Sequence, residues 1–258
     1  MNDILQVDIQ GHSALVTINN PPANTWTRDS LDRLSELVDE LNANKEVYSL
    51  IITGSGEKFF SAGADLNLFA EGDKQVAVEI SSAFGRAFEA LSQFRGLSIA
   101  AINGYAMGGG LEVALACDLR IAEQQAVMAL PEASVGLLPC AGGTQNLAWL
   151  VGEGWAKRMI LCGEKVNAEQ ALQIGLVESI VEQGQALEQA TAWANKAERQ
   201  SPTSITACKR LIQTARKEPM FVGMAYERDA FVRLFDSNDC KEGVQAFLEK
   251  RKPNWTNT

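Results

Sequence analysis

The stretch Ile102–Thr144, INGYAMGGGLEVALACDLRIAEQQAVMALPEASVGLLPCAGGT, restricts the fold more than any other part of the chain. A short apolar run leads into Gly108-Gly109-Gly110. Leu111 to Cys117 then reads as a short helix that is apolar on almost every face, which requires burial on all sides. Yet it carries a carboxylate, Glu112, three residues past Gly109. Twenty residues later Glu132 stands behind Pro131, again in apolar surroundings. Glycines where backbone must come close, and acids where apolar side chains are expected, break local rules and tend to mark function.

The flanking patterns supply layers to bury such a helix. Leu5, Val7 and Ile9 alternate with polar residues, and Ala14, Val16 and Ile18 do so after Gly11-His12, which predicts a β-hairpin. Thr27 is placed to cap a helix with apolar positions Leu31, Leu34, Leu37, Val38 and Leu41. Leu50–Gly54 reads as a buried strand and residues 54–69 as a loop. Val76, Ile80, Phe84, Phe88 and Leu91 mark a long amphipathic helix. Ser98–Ile102, Asp118–Ala122 and Val127–Leu130 read as strands. Beyond Thr144 helices are expected at Gln145–Val151, Gly154–Leu161, Ala168–Ile174, Leu187–Glu198, Pro202–Arg216, Phe221–Phe235 and Asp239–Lys250, with a short extended stretch near Ile180-Val181. The chain therefore divides into an α/β core over residues 1–200 and a helical module over 201–258.

Composition narrows the chemistry. Of 258 residues 46% are hydrophobic, ample for a core, and the net charge of −9 argues against nucleic-acid or anionic-membrane partners. Five cysteines, odd in number and without a CxxC, suit a reduced cytoplasmic chain. The start, MNDILQVDIQ, reads as a strand rather than a signal peptide. No apolar run reaches the ~20 residues that span a bilayer. His12 is the only histidine and falls in a turn, where it is expected to be solvated. A multi-histidine metal site is thereby excluded, and a Ser-His-Asp or Cys-His site would have to use His12. No GxGxxG follows the first strand, against a dinucleotide-binding fold.

If the helix begins near Gly109, its first N–H groups lack intrahelical partners and carry the positive end of the dipole. With no Cβ in the way, a carbonyl developing negative charge fits there. Glu112, within a turn of the same spot, could exchange a proton beside that carbonyl. Gly63-Ala64 could bring a second donor. Tight helix–strand packing by the glycines and an acid satisfying the dipole describe the same residues equally well. Glu132 suits either a site or a buried ion pair. Two acids in one small apolar site would be coupled, one pKa raised by repulsion and desolvation.

The segments SAGADL (Ser61–Leu66), AAINGYAMGGGLEVALACDLRIA (Ala100–Ala122), LPEASVGLLPCAGGTQNL (Leu130–Leu147), ALQIGLVESI (Ala171–Ile180) and FLEKRKPNW (Phe247–Trp255) together resemble the enoyl-CoA hydratase/isomerase, or crotonase, family. They follow the family's order along the chain. The resemblance implies a ClpP/crotonase-like spiral of ββα units with a helical C-terminal trimerisation region, assembled as a homotrimer or a pair of trimers. It implies an acyl-CoA thioester substrate, an oxyanion hole from the Ala64 and Gly109 amides, and no metal or redox cofactor. Family members that hydrate 2-enoyl-CoA carry glutamates at the positions of Glu112 and Glu132, so the pair implies a hydro-lyase. It also implies CoA contacts from Lys58, from the backbone of Ala62, Asp65 and Leu66, and from Phe247 and Lys250 of the same or an adjacent subunit. Lys58 and Lys250 could equally be plain surface charge, and Phe247 core packing. The alternatives on the same scaffold are a Δ3-Δ2 enoyl-CoA isomerase, a specialised hydratase and an RNA-binding or scaffolding relative. A serine protease of the related spiral fold would need His12. Three positions depart from the commoner pattern: Asn67 for lysine, Cys140 for glycine and Asn146 for arginine. These bear on acyl preference and CoA affinity rather than on the fold.

Overall fold

A computed structural model describes residues 4–258; Met1–Asp3, the start of the extended N-terminal reading, lie outside the described residues. The first hairpin forms as expected, β1 (Leu5–Gln10) antiparallel to β2 (Ser13–Ile18). Helix α1 (Arg28–Ala43) starts on Thr27, whose hydroxyl accepts the Ser30 amide while the Ser30 hydroxyl accepts the Thr27 amide, a reciprocal cap. Its five expected apolar positions are all buried.

From there a unit repeats. One strand enters a large sheet, the next enters a small sheet, and a helix or long connection follows. The pairs are β3 (Ser49–Gly54) with β4 (Phe59–Ser61), then β5 (Leu97–Ile102) with β6 (Tyr105–Met107), then β7 (Leu119–Glu123) with β8 (Val127–Ala129). Helix α2 (Lys74–Ser92) follows the first pair, α3 (Gly109–Ala116) the second and α4 (Gly143–Leu161) the third. The chain continues through β9 (Val166–Asn167), α5 (Ala168–Gln173), β10 (Ser179–Val181) and α6 (Ala186–Ala197). The large sheet has the order β1-β2-β3-β5-β7-β10, parallel beyond the first hairpin, and the small one β4-β6-β8-β9.

Strands β3, β5 and β7 are buried on both faces, which is why they read as continuous apolar runs. Leu50, Ile52, Ala100 and Ile102 face the main core with α1, α2 and α3. Ile51, Ile99, Ala101 and Ile121 face the other way, onto Ala186, Ala190 and Ala194 of α6.

The structure corrects the sequence reading in two places, the loop over 54–69 and His12. The expected loop over 54–69 contains β4, and with β6 and β9 it supplies a second sheet that the sequence did not announce. The two helices expected at Gln145–Val151 and Gly154–Leu161 are both present within α4, divided at Gly152, whose φ of 77° and ψ of 161° are non-helical. His12 is half-buried rather than solvated: its Nδ1 lies 2.7 Å from the Glu46 carbonyl and its ring stacks on Tyr48, with centroids 4.2 Å apart.

The C-terminal helices are α7 (Pro202–Thr214), α8 (Met220–Leu234) and α9 (Asn238–Leu248). Helix α7 is moored to the core by side chains, Lys209 Nζ to Asp118 at 2.7 Å and Thr206 Oγ1 to the Arg95 carbonyl at 3.0 Å. Buried Asp239 gathers the chain end by accepting the Thr256 and Asn257 amides at 2.9 and 3.0 Å. Helix α8 has no buried residue.

Candidate active site

Each glycine of the cluster answers a different demand. Gly108 takes a positive φ of 54°, and a Cβ there would come 2.9 Å from Glu132 Oε1. A Cβ on Gly109 would come 2.8 Å from the Phe84 ring and 3.6 Å from Gly63 Cα. One on Gly110 would overlap the Ser61 carbonyl. Packing and site therefore both need the cluster: it seats α3 on β4 and opens a face toward Gly63 and Glu132.

Loop 61–64 is brought to the same place. The Trp26 amide donates to Gly63 O at 2.8 Å, and Trp26 and Ala64 form a parallel bridge. Gly63 adopts φ 85°, and a Cβ on it would lie 2.9 Å from Gly109 N. Ala64 and Gly109 thus stand on facing segments, and among the described residues neither amide donates to a protein acceptor. For Gly109 this follows from its place as first residue of α3.

The two acids face different protein environments. Glu112 is 2% exposed, and its Oε1 accepts from the Ala141 amide at 2.8 Å and the Gly143 amide at 2.9 Å. Burial raises its pKa while those two amides oppose the rise. Glu132 opens a short 3-10 turn, Glu132–Val135. Its Oε2 is buried with no hydrogen-bond partner among the described residues. Burial pushes its pKa up to about 7; the Glu112 charge adds to the rise, opposed by its own backbone. A buried, unpartnered carboxyl oxygen is met by water or ligand far more often than it is left empty-handed.

Both acids, Ala64 and Gly109 line one cavity of about 970 Å³, together with Ala62 and Leu66. Asp65 does not line it; it caps the 3-10 turn Leu66–Phe69 by accepting the Asn67 amide at 3.0 Å, and Asn67 Nδ2 at 2.8 Å. Lys58 is exposed, its Nζ 5.4 Å from the Phe59 ring centroid. Phe247, 83% exposed on α9, is not core within its own chain, and Lys250, with φ 54°, follows the end of that helix. Neither lines the cavity. Cys140 does line it, and desolvation raises its thiol to about 11. Asn146 is away from it and accepts from Arg216 at 3.3 Å. Phe84, Met107 and Leu138 are lining residues that the sequence did not single out. Phe84 had the helical spacing of any core residue, so nothing in its pattern set it apart.

Alternating strands between two sheets, a glycine-led helix start and two glutamates, one buried and one half-buried, lining one cavity define a class of protein. The chain belongs to the enoyl-CoA hydratase/isomerase family, whose model matches residues 8–258. It is 36% identical over 253 residues to a short-chain-enoyl-CoA hydratase of Clostridium acetobutylicum, covering 98% of this chain and 97% of that one. It is 39% identical over 254 residues to the 2,3-dehydroadipyl-CoA hydratase of Escherichia coli, with 97% and 98% covered. The solved structure of Pseudomonas aeruginosa DspI superposes with a TM-score of 0.96 at 63% identity, covering 98% of this chain and 97% of that one. The expected spiral architecture holds.

Proposed function

We propose that the protein is a hydro-lyase that adds water across the double bond of 2-trans-enoyl-CoA thioesters to give 3-hydroxyacyl-CoA. The observation that carries this reading is the unpartnered, buried oxygen of Glu132 in the cavity that also holds Glu112 and two undonated amides. The thioester oxygen sits on the Ala64 and Gly109 amides, which stabilise the enolate-like charge as water adds at C3. Glu112, whose two amide donors favour its charged form against burial, orients and activates the water. Glu132, its pKa raised by desolvation to about 7, supplies the proton at C2. The nucleophilic oxygen, the proton added at C2 and the proton lost from water balance the hydration, with no change in redox state and so no redox partner. The relatives named as hydratases support the same reaction.

The coenzyme arrives as part of the substrate. We assign its contacts to the backbone of Ala62, Asp65 and Leu66 and to Lys58, with Phe247 and Lys250 reaching CoA from the same or an adjacent subunit. The division into a catalytic spiral, residues 1–200, and an assembling module, 201–258, belongs to the same proposal, as does a homotrimer or pair of trimers. It is supported by the exposed apolar side chains of α8 and α9, among them Met220, Phe221, Phe231 and Phe247. Among the described residues no helix is long and apolar enough to cross a membrane. The reading places the enzyme in the cytoplasm with no nucleic-acid partner.

The test is loss of the conjugated enoyl-thioester absorbance when purified protein meets crotonyl-CoA. Turnover is expected. Absence of loss with crotonyl-CoA and with longer 2-enoyl-CoAs alike overturns the reading.

A further inference from the structure

Of the five cysteines, all among the described residues, only Cys140 lines the catalytic cavity. The loop that carries it begins at one acid and closes on the other. Glu132 opens it in the 3-10 turn, and beyond Cys140 the Ala141 and Gly143 amides donate to Glu112 Oε1 at 2.8 and 2.9 Å. Pro139 packs at the same point: a Cβ on Gly143 would meet Pro139 Cβ at 2.9 Å and Glu112 Oε1 at 2.8 Å. Cys140 is therefore pinned between two residues gathered at Glu112, yet it is itself exposed on the cavity wall. Independently of the thiol, this cavity is equipped for a reacting ligand. Glu132 Oε2 is buried without a partner, and among the described residues the Ala64 and Gly109 amides donate to no acceptor. Glu112, 2% exposed, engages only Oε1 in hydrogen bonds among those residues.

We propose that Cys140 is a second nucleophile of this site: its Sγ adds to C3 of a bound 2-enoyl-CoA in place of water, holding enzyme and substrate as a reversible covalent adduct. The proposal rests on the acyl-CoA reading above. The Sγ–C3 bond forms as the C2=C3 π pair shifts onto the thioester oxygen, where the Ala64 and Gly109 amides stabilise it. The thiol proton passes to Glu112. When the electron pair returns, Glu132 protonates C2. The product is a 3-thioether of the saturated acyl-CoA, with no electron gained or lost overall, and the same acids run the step backwards. Burial pushes the Cys140 thiol up to about 11, and the Glu112 and Glu132 charges add to the rise. At pH 7 about one such thiol in ten thousand is ionised, so a stray electrophile finds almost no thiolate. A base that takes a proton from attacking water takes it more readily from a thiol, the stronger acid of the two. Addition therefore follows occupancy of the two amides rather than general thiol reactivity.

The experiment incubates the full chain with crotonyl-CoA or but-2-ynoyl-CoA, quenches in acid and measures intact and peptide masses, with loss of the enoyl absorbance of crotonyl-CoA followed in parallel. The alkynyl adduct keeps a double bond and does not readily revert. The expected result is a gain of one whole acyl-CoA mass, mapped to Cys140, with Cys162 and Cys208, exposed but off this cavity, labelled at least 100-fold more slowly. Glu112→Gln is expected to slow labelling roughly 100-fold, and Cys140→Ser to abolish it. Absence of label, label on another cysteine, or a rate indifferent to Glu112→Gln overturns the proposal. So does a gain of the acyl group alone, which would place attack at the thioester carbonyl. Mapping on the wild type decides the site even if Cys140→Ser fails to fold. Hydration without an adduct sinks this proposal alone, and an adduct without hydration sinks the hydratase reading alone.

Discussion

Helices α3 and α8 lie at opposite extremes of one chain. All eight residues of α3 are buried, and its one acid is tied by two amides. Helix α8 is nearly twice as long and buries nothing, with Met220, Phe221 and Phe231 each more than half exposed. A helix apolar on all faces is stable only inside a closed shell, and the spiral supplies that shell from sequence-distant strands. Large exposed apolar groups on a helix mark a surface suited to a partner. The difference separates two surfaces: the spiral closes its cavity within one chain, and on the proposed reading the C-terminal module is completed by a second copy.

The largest expected effect strikes the buried end. Glu112→Gln and Glu132→Gln keep volume and shape but, on the proposed mechanism, remove the group that activates the water and the group that supplies the C2 proton. Each is expected to lower kcat by roughly 100- to 10,000-fold on crotonyl-CoA, with thermal unfolding close to wild type. Near-normal turnover in either variant would contradict the paired-acid mechanism, and it would also remove the reason for an acid on an otherwise apolar helix.

The glycines sharpen the contrast in stability rather than rate. A Cβ at Gly110 would overlap backbone of Ser61, which cannot swing aside as a side chain could. Gly110→Ala should therefore destabilise by about 1–3 kcal/mol in urea unfolding. Gly154 in α4 and Gly223 in α8 have nothing within 4 Å of the added carbon. Alanine there should be neutral or stabilising by up to ~1 kcal/mol, since it restricts the unfolded chain without a clash. Equal effects at Gly110 and Gly223 would mean that α3 is not seated as tightly as its burial implies.

These contrasts also explain what the sequence made legible. Strands β3, β5 and β7 stood out as apolar runs because both their faces are covered. Strands β4, β6 and β9, of two or three residues, are too short to show any period, so the second sheet stayed hidden although it carries loop 61–64 to Gly109. Glu112 and Glu132 were conspicuous as acids in apolar company. The tie from Glu112 to Ala141 and Gly143 was not, because hydrogen bonds across 29 and 31 residues leave no local pattern. Gly63-Ala64 was open as a possible second donor, but Ala64 was singled out as the oxyanion-hole amide only by the family resemblance; by its own composition an alanine in a loop says nothing. Phe84 was invisible for the converse reason, since a lining side chain and a core side chain obey the same helical spacing.

A gentler intervention probes α8. Phe231 is 64% exposed and stacks edge-on to Phe235, with centroids 5.4 Å apart. Phe231→Asp costs the single chain little packing, yet it puts a charge on the surface assigned to assembly. Sedimentation should show the variant shifted toward monomer, with the far-ultraviolet spectrum of the spiral intact. An unchanged mass distribution would argue that another face of the molecule associates.

The smallest effect returns to Glu132 and concerns pH. Its carboxyl is held at about 7 in the folded chain, above the ordinary carboxylate value of 4.5, because burial disfavours the charge. In that window the folded state binds a proton that the unfolded state has lost, so stability falls as pH rises from about 4.5 to 7 and stays lower above it. Glu132→Gln cannot ionise and escapes this loss. The variant should therefore melt slightly higher than wild type at pH 8, with the gap closing toward pH 5. Catalysis should follow the same titration from the other side: kcat of the wild type declines as Glu132 loses the proton destined for C2. A melting difference that grows toward low pH would show that Glu132 is ionised in the fold at neutrality, and the proton donor would then have to be sought in Glu112.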